Sequence, residues 1–184
     1  DSQRPDRLVK AEDYRITSSD PIGVGGEKEK AKNNLAAIRV LKQIEEEGRP
    51  ATRAEQEVLV RYIGWGALPQ MFRNPYTNLV TKGWESYATE LEALLTPAEL
   101  DAARGSTNNA HYTSVTVIKA MFDLAAHLGL QPGHFLEPSL GVGHFLGLTP
   151  QALRGATWHG TELDSITGRI AKLLYPRMDV RVQG

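Results

Sequence analysis

Two carboxylates around a run of glycines are the residues in this sequence whose types and spacing most clearly suggest chemistry. The stretch His134 to Gly147 reads HFLEPSLGVGHFLG: a short apolar strand delivers Glu137, the chain turns on Gly141 and Gly143, and Phe145 and Leu146 open a helix. Glycines at such a turn let the backbone approach a ligand closely, as at nucleotide sites. The pattern GxGxxxG is weak by itself, because tight turns in unrelated α/β proteins use the same glycines. A second acid strengthens it. Glu162 closes the next apolar segment 162 − 141 = 21 positions beyond Gly141, and Asp164 follows two residues on. A carboxylate about 20 residues past the glycines is placed to accept hydrogen bonds from a ribose diol. Ser139, inside the loop, and Leu163, between the two acids, complete this candidate cofactor site.

NAD and S-adenosylmethionine both suit that geometry, and electrostatics separates them. A pyrophosphate sits over such a loop at a helix N-terminus, where an acid directly before the glycines would repel it. Glu137 stands in that position. S-adenosylmethionine has no phosphate, and its methionine end carries an ammonium and a sulfonium, so a carboxylate there is favourable.

The elements that must hold these residues fall into two parts. After Asn109 the sequence alternates helix and strand: a helix from about Ser114 to Leu128, a strand at His134 to Glu137, a helix or turn through Leu153, a strand at Thr157 to Glu162, a helix from Ser165 to Leu174 and a strand at Asp179 to Val182. Such alternation predicts βαβ units and a parallel sheet. Residues 1–109 read as a helical region instead. Asp1 to Asp20 is polar and reads as an extended arm. From Glu27 to Glu47, Leu35, Ile38, Leu41 and Ile44 recur on one helical face, and Gly48 and Pro50 stop the run. Thr52 and Glu55 form a capping box for a second helix with Val58, Leu59 and Tyr62 on its apolar face. Trp84 to Leu95 reads as a third helix, and Thr96, Pro97 and Glu99 open a fourth that ends near Gly105.

The motifs together resemble a known family. FLEPSLGVGHFLG is similar to motif I of amino-directed DNA methyltransferases, TELD to motif II, and HYTS at His111 to Ser114 to motif X. The order X, I, II is that of the group that methylates adenine N6. The segments YRITSSDPIGVGGEKEKAKNNLAAIRVLKQIEEEGRPAT, YIGWGALPQMF, STNNAHYTS and TELDSITGRIAKLLYP further resemble the N-terminal portion of large methyltransferase-helicase proteins of phages, plasmids and integrative elements. The likeness runs from about Tyr14 to Gly184 and departs from the family at Ala67, often Gly, and His144, often Asn. It implies an α/β fold: a partial Rossmann-like class I methyltransferase core, its first three parallel strands, preceded by a helical region, with a boundary near residue 110. It also implies that Tyr112, Thr113 and Ser114, with His111 beside them, contact the methionine end of the cofactor. By the same resemblance Gly141 and Gly143 line the cofactor, Glu162 holds the ribose and Asp164 approaches the adenine. DNA, the remainder of the methyltransferase domain and a downstream helicase are the implied partners.

The catalytic tetrad of that family, (N/D/S)PP(Y/F) or NVPF, does not follow Glu162, so no catalytic residue is assigned. Asn74, Pro75 and Tyr76 imitate it but lack the second proline and a preceding apolar strand, and Asn-Pro pairs are ordinary turn formers. In such a core the strand carrying Glu137 would be central, yet one of its neighbours is missing. We therefore expect its open edge to be covered by self-association, by the chain's own helices or by further chain. A non-catalytic DNA- or partner-binding module built on a degenerate methyltransferase fold is the alternative reading.

Composition sets the outer limits. The chain has 184 residues, 41% hydrophobic and 23% charged, as in an ordinary globular domain. The formal net charge is −1, with 15 basic and 17 acidic residues before Ala110 and 6 and 5 after it, so any DNA contact must be local. The absence of cysteine excludes disulfides, thiolate metal sites and a Cys nucleophile, and fits a reducing, cytoplasmic setting. The apolar run near Val115 to Leu130 is broken by Lys119, Asp123 and His127, which excludes a membrane span there. The start at Asp1, without Met or a signal sequence, reads as a cut in a longer chain. Five histidines without HxxxH spacing predict no metal site and surface or loop placement. Trp65, between Gly64 and Gly66, reads as an aromatic anchor at a helix end.

Overall fold

A computed structural model describes residues 12–66 and 68–183. Seven helices and three strands follow in the order α1 (Glu27–Glu47), α2 (Arg53–Leu59), α3 (Glu85–Leu94), α4 (Pro97–Gly105), α5 (Val115–His127), β1 (His134–Glu137), α6 (His144–Gly147), β2 (Thr157–Glu162), α7 (Ser165–Leu174) and β3 (Asp179–Val182). The result is a mixed fold, with a parallel three-stranded sheet after a helical N-terminal region. The sheet order is β1-β2-β3, with Glu137 opposite Gly160 and Glu162 opposite Val182.

Local sequence explains most of these elements. α1 buries Ala31, Leu35, Ile38, Leu41 and Ile44 along one stripe and stops at Gly48, whose φ of 61° favours glycine. Capping boxes start α2 at Thr52 and Glu55 and α4 at Thr96 and Glu99. α2 is shorter than expected. It ends at Leu59, and Tyr62 lies beyond it in a loop, because buried Asn34 of α1 claims that backbone: its amide donates to the Gly64 carbonyl at 2.6 Å and its carbonyl accepts from Ile63 N–H at 3.0 Å.

The expected arm is docked from Glu12 onward rather than free; its first 11 residues lie outside the described residues, as does Ala67. Tyr14 is buried, its N–H donates to the Leu174 carbonyl at 2.7 Å, and Ile16 N–H donates to Gly147 at 3.1 Å. The guanidinium of Arg53 stacks 4.0 Å over the Tyr14 ring.

One buried cluster runs across residue 110, joining α1 and α2 to α7 through Leu35, Ile38, Leu59, Ile170 and Leu174. Buried Glu99 ties the same elements together, accepting from Lys42 of α1 at 2.7 Å and from Arg169 of α7 at 2.7 Å. Gln56 of α2 donates to the carbonyls of Glu12 and Leu173.

The sheet is covered on one face. Phe135 and Trp158 pack edge to face at 5.1 Å, and Phe122 of α5 closes over Trp158. On the other face His134, Leu136 and Asp179 are exposed, although parallel sheets are ordinarily buried on both sides. β1 forms an edge of the sheet with Leu136 66% exposed, so among the described residues no strand pairs its outer side.

Candidate functional site

A tether at the carboxyl end of the sheet organises the site. Glu162, last residue of β2, accepts from Gly141 N–H through Oε2 at 2.8 Å and from Asp164 N–H through Oε1 at 2.9 Å. The carboxylate therefore holds the glycine loop and the start of α7 at once, and charge-assisted bonds of this kind are about twice as strong as neutral ones. Asp164 caps α7, its Oδ1 accepting from Thr167 N–H at 2.7 Å and from the Thr167 hydroxyl at 2.6 Å. Its Oδ2 is buried and without a partner among the described residues.

Three glycines let the His111–Tyr112 segment lie against this loop. A Cβ on Gly141, at φ 58°, would stand 3.0 Å from the Tyr112 ring, and one on Gly64, at φ 66°, would meet the opposite side of that side chain at 3.0 Å. A Cβ on Gly66 would lie 2.1 Å from the Ala110 carbonyl oxygen, a distance no structure tolerates. The GWG triplet is thus the bed on which residues 110–112 lie. Trp65 between the glycines is buried and meets Tyr62 and Phe72 edge to face, so it is the expected aromatic anchor but in the loop beyond α2 rather than at a helix end.

These parts enclose a cavity of about 560 Å³. His111, Tyr112 and Thr113 line one side, Ser139 and Gly141 the loop, and Glu162, Leu163 and Asp164 the strand end. The helical region supplies the remaining wall through Ala102, Gly105, Ser106 and Asn109. A second depression of about 330 Å³ adjoins it, sharing Ser139, Glu162 and Leu163 and bounded by Pro138, Thr161 and Gln183.

Eight of the eleven expected site residues line the larger cavity. Ser114 does not, because its hydroxyl caps α5 by accepting from Val117 N–H at 3.4 Å. Gly143 does not, because it faces the core, where a Cβ would lie 2.4 Å from the Tyr175 ring. Glu137 is half-buried at the foot of the loop, with Ser139 N–H donating to it at 3.4 Å, and it too is outside the lining. Burial raises the Glu137 carboxyl above the usual range, and the Ser139 N–H opposes that rise. The Tyr112 phenol is raised far above its ordinary value, first by burial and then by the Glu162 charge, so it stays protonated.

His144 corrects the expectation that the histidines lie on surfaces or loops. It is 5% exposed at the start of α6, lines the cavity and packs against the Tyr112 ring with centroids 5.3 Å apart and planes tilted by 58°. The only sequence signal was its place directly after the second glycine of the loop. Asn74 and Tyr76, by contrast, form a surface turn: Asn74 Oδ1 accepts from Tyr76 N–H at 2.9 Å, and Tyr76 is 95% exposed. Among the described residues no group of three or more metal-ligating side chains is arranged to hold a metal ion, and no helix is long and apolar enough to cross a membrane.

The residues present suit a nucleoside with a cationic tail. The cavity offers carboxylates, an open glycine turn and apolar contacts from Ile118 and Phe145.

The chain is 31% identical over 78 residues to the Defense against restriction protein B of Escherichia phage P1. That match covers 42% of this chain and only 3% of the phage protein. No family model matches the chain, and no solved structure matches it.

Proposed function

We propose that this chain is the S-adenosylmethionine-binding portion of a DNA adenine-N6 methyltransferase, from a mobile-element protein that joins a methyltransferase to a helicase. The observation that carries the reading is the convergence of His111–Thr113, the Ser139–Gly141 turn and Glu162–Asp164 on one cavity at the carboxyl ends of parallel strands. Ligands of open α/β sheets bind at that end. The likeness to a phage protein named for defence against restriction supports the mobile-element setting.

Each residue has a defined part in this reading. Glu162, its oxygens each engaged once by backbone N–H, keeps lone pairs for the ribose hydroxyls. Gly141 gives the ligand access to the backbone, and Tyr112 forms a neutral, rigid wall. Bound there, S-adenosylmethionine would supply an electrophilic methyl group. The chain's own contribution is to bind and orient it, and the groups that receive the target amine lie in sequence beyond motif II.

Calorimetric titration of S-adenosylmethionine, S-adenosylhomocysteine and NAD tests the reading. Wild type binds the first two and not NAD, and Glu162→Gln weakens both by about 10-fold or more. A folded chain that is silent toward both adenosyl ligands yet retains duplex DNA would favour the non-catalytic module instead.

A further inference from the structure

Asn34 is the one polar residue among the buried positions of α1. It sits on the stripe of Ala31, Leu35 and Ile38 and is 0% exposed. A carboxamide buried without partners is costly, and an apolar side chain of similar size would fill the same space without that demand. Both ends of this one are satisfied, and by a single short stretch of chain: its amide donates to the Gly64 carbonyl at 2.6 Å and its oxygen accepts from Ile63 N–H at 3.0 Å. The two bonds fix the loop after α2 to one place on a 21-residue helix.

That loop reaches the cavity through one aromatic ring. Gly64 lies against one side of the Tyr112 ring and Gly141 against the other, each so close that a Cβ would stand 3.0 Å from it. Gly66 supports the same segment through its close approach to the Ala110 carbonyl. Tyr112 and Gly141 both line the cavity. Beyond Gly141, the Glu162 carboxylate holds the loop by its N–H at 2.8 Å. The Tyr112 ring is therefore clamped between two backbone segments, one anchored by Glu162 of β2 and the other by Asn34 of α1. Asn34 itself lies outside the cavity lining, so its influence there passes through Gly64 and Tyr112.

We propose that Asn34 is a positioning residue for the cavity's ligand: by pinning Ile63 and Gly64 it sets where the Tyr112 ring stands relative to the glycine turn. This rests on the reading of the cavity as an S-adenosylmethionine site, and it makes the helical region a working part of that site. Loss of the two bonds frees the Gly64 side of the clamp while every residue that lines the cavity stays in the sequence.

Calorimetric titration of S-adenosylhomocysteine into wild type, Asn34→Ala, Asn34→Asp and Ile44→Ala tests the role, with thermal unfolding and amide spectra recorded for each. Asn34→Asp keeps the acceptor for Ile63 N–H but turns a carboxylate oxygen toward the Gly64 carbonyl. Ile44 is buried on the same stripe about 15 Å further along α1, so its truncation shows what destabilising the helix does by itself. Asn34→Ala and Asn34→Asp weaken the ligand about 10-fold or more and shift the Tyr112 and Gly141 resonances of the unliganded chain, whereas Ile44→Ala stays within about twofold and leaves those resonances in place. Equal weakening by the Asn34 variants and Ile44→Ala, or unchanged affinity in the Asn34 variants, overturns the role of Asn34 while leaving the cofactor site standing. Failure of wild type to bind overturns the site itself and this role with it. Should the Asn34 variants not fold, hydrogen exchange in the wild type decides. Bound S-adenosylhomocysteine slows exchange at the Ile63 N–H that Asn34 holds more than at Ile44, and an Ile63 rate that the ligand leaves unchanged contradicts the proposal.

Discussion

The Glu162 carboxylate accepts the Gly141 N–H at 2.8 Å, joining the end of β2 to the glycine loop 21 positions earlier in the chain. The acid is thus a strut of the loop as well as a candidate ligand contact. Glu162→Gln cannot accept at both oxygens and gives up one charge-assisted bond, lowering stability by about 1.5–3 kcal/mol in urea unfolding. Glu162→Ala frees both N–H groups and costs more. Equal stability of all three proteins would show that the strut carries no load.

The glycines differ in what surrounds them, and substitution should rank them. Gly23→Ala meets open space and bears only the strain of a positive φ, about 1–2 kcal/mol. Gly141→Ala adds contact with the Tyr112 ring, and Gly66→Ala drives a methyl into the Ala110 backbone. Thermal midpoints should fall in the order Gly23, Gly141, Gly66, with Gly66→Ala failing to fold.

Acid should weaken the junction between the helical region and the sheet. Burial pushes the Glu99 carboxyl up, but the ammonium of Lys42, the Thr96 N–H and Arg169 outweigh it and hold the group at about 2. A carboxyl depressed in the folded state stabilises the protein above its unfolded pKa, and that stability is lost as pH falls from about 4.5 toward about 2. The contribution at neutral pH is on the order of 3 kcal/mol. Glu99→Gln should be less stable at pH 7, and its stability should fall less steeply between pH 4.5 and 2. Glu55, held at about 2 by Arg49, responds in both proteins and cancels in the comparison.

Val117, Met121, Leu124 and Leu128 recur at helical spacing on the outer side of α5 and are all exposed, as is Leu136 on the open edge strand. Exposed apolar stripes and unpaired strand edges promote association. Sedimentation of the isolated chain should show concentration-dependent self-association that a Leu124→Lys, Leu128→Lys variant reduces without loss of helix content. Identical sedimentation of the two proteins would contradict the prediction.

The sheet half was closely legible in sequence. β1, β2, α7 and β3 start and end where their apolar runs and punctuating glycines and prolines place them, because short strands and a capped amphipathic helix are decided locally. What escaped was set by distant contacts. α2 stops before Tyr62 because Asn34, nearly 30 residues away, captures Ile63 and Gly64. Gly143 has the spacing of a ligand glycine but serves to pack Tyr175, and the inward turn of His144 against Tyr112 depends on a fold that brings residues 112 and 144 together. The contribution of α4 and its following loop to the cavity left no local pattern.

The central claim, a methyl-donor site at this cavity, is tested most directly by mapping amide resonances of the isotopically labelled chain during titration with S-adenosylhomocysteine. The largest shifts should fall on Tyr112, Thr113, Ser139, Gly141 and Glu162 to Asp164, with residues of the open sheet face such as His134 and Leu136 unmoved. A well-dispersed spectrum that stays unchanged at saturating ligand, or shifts confined to residues away from the glycine loop, would contradict it.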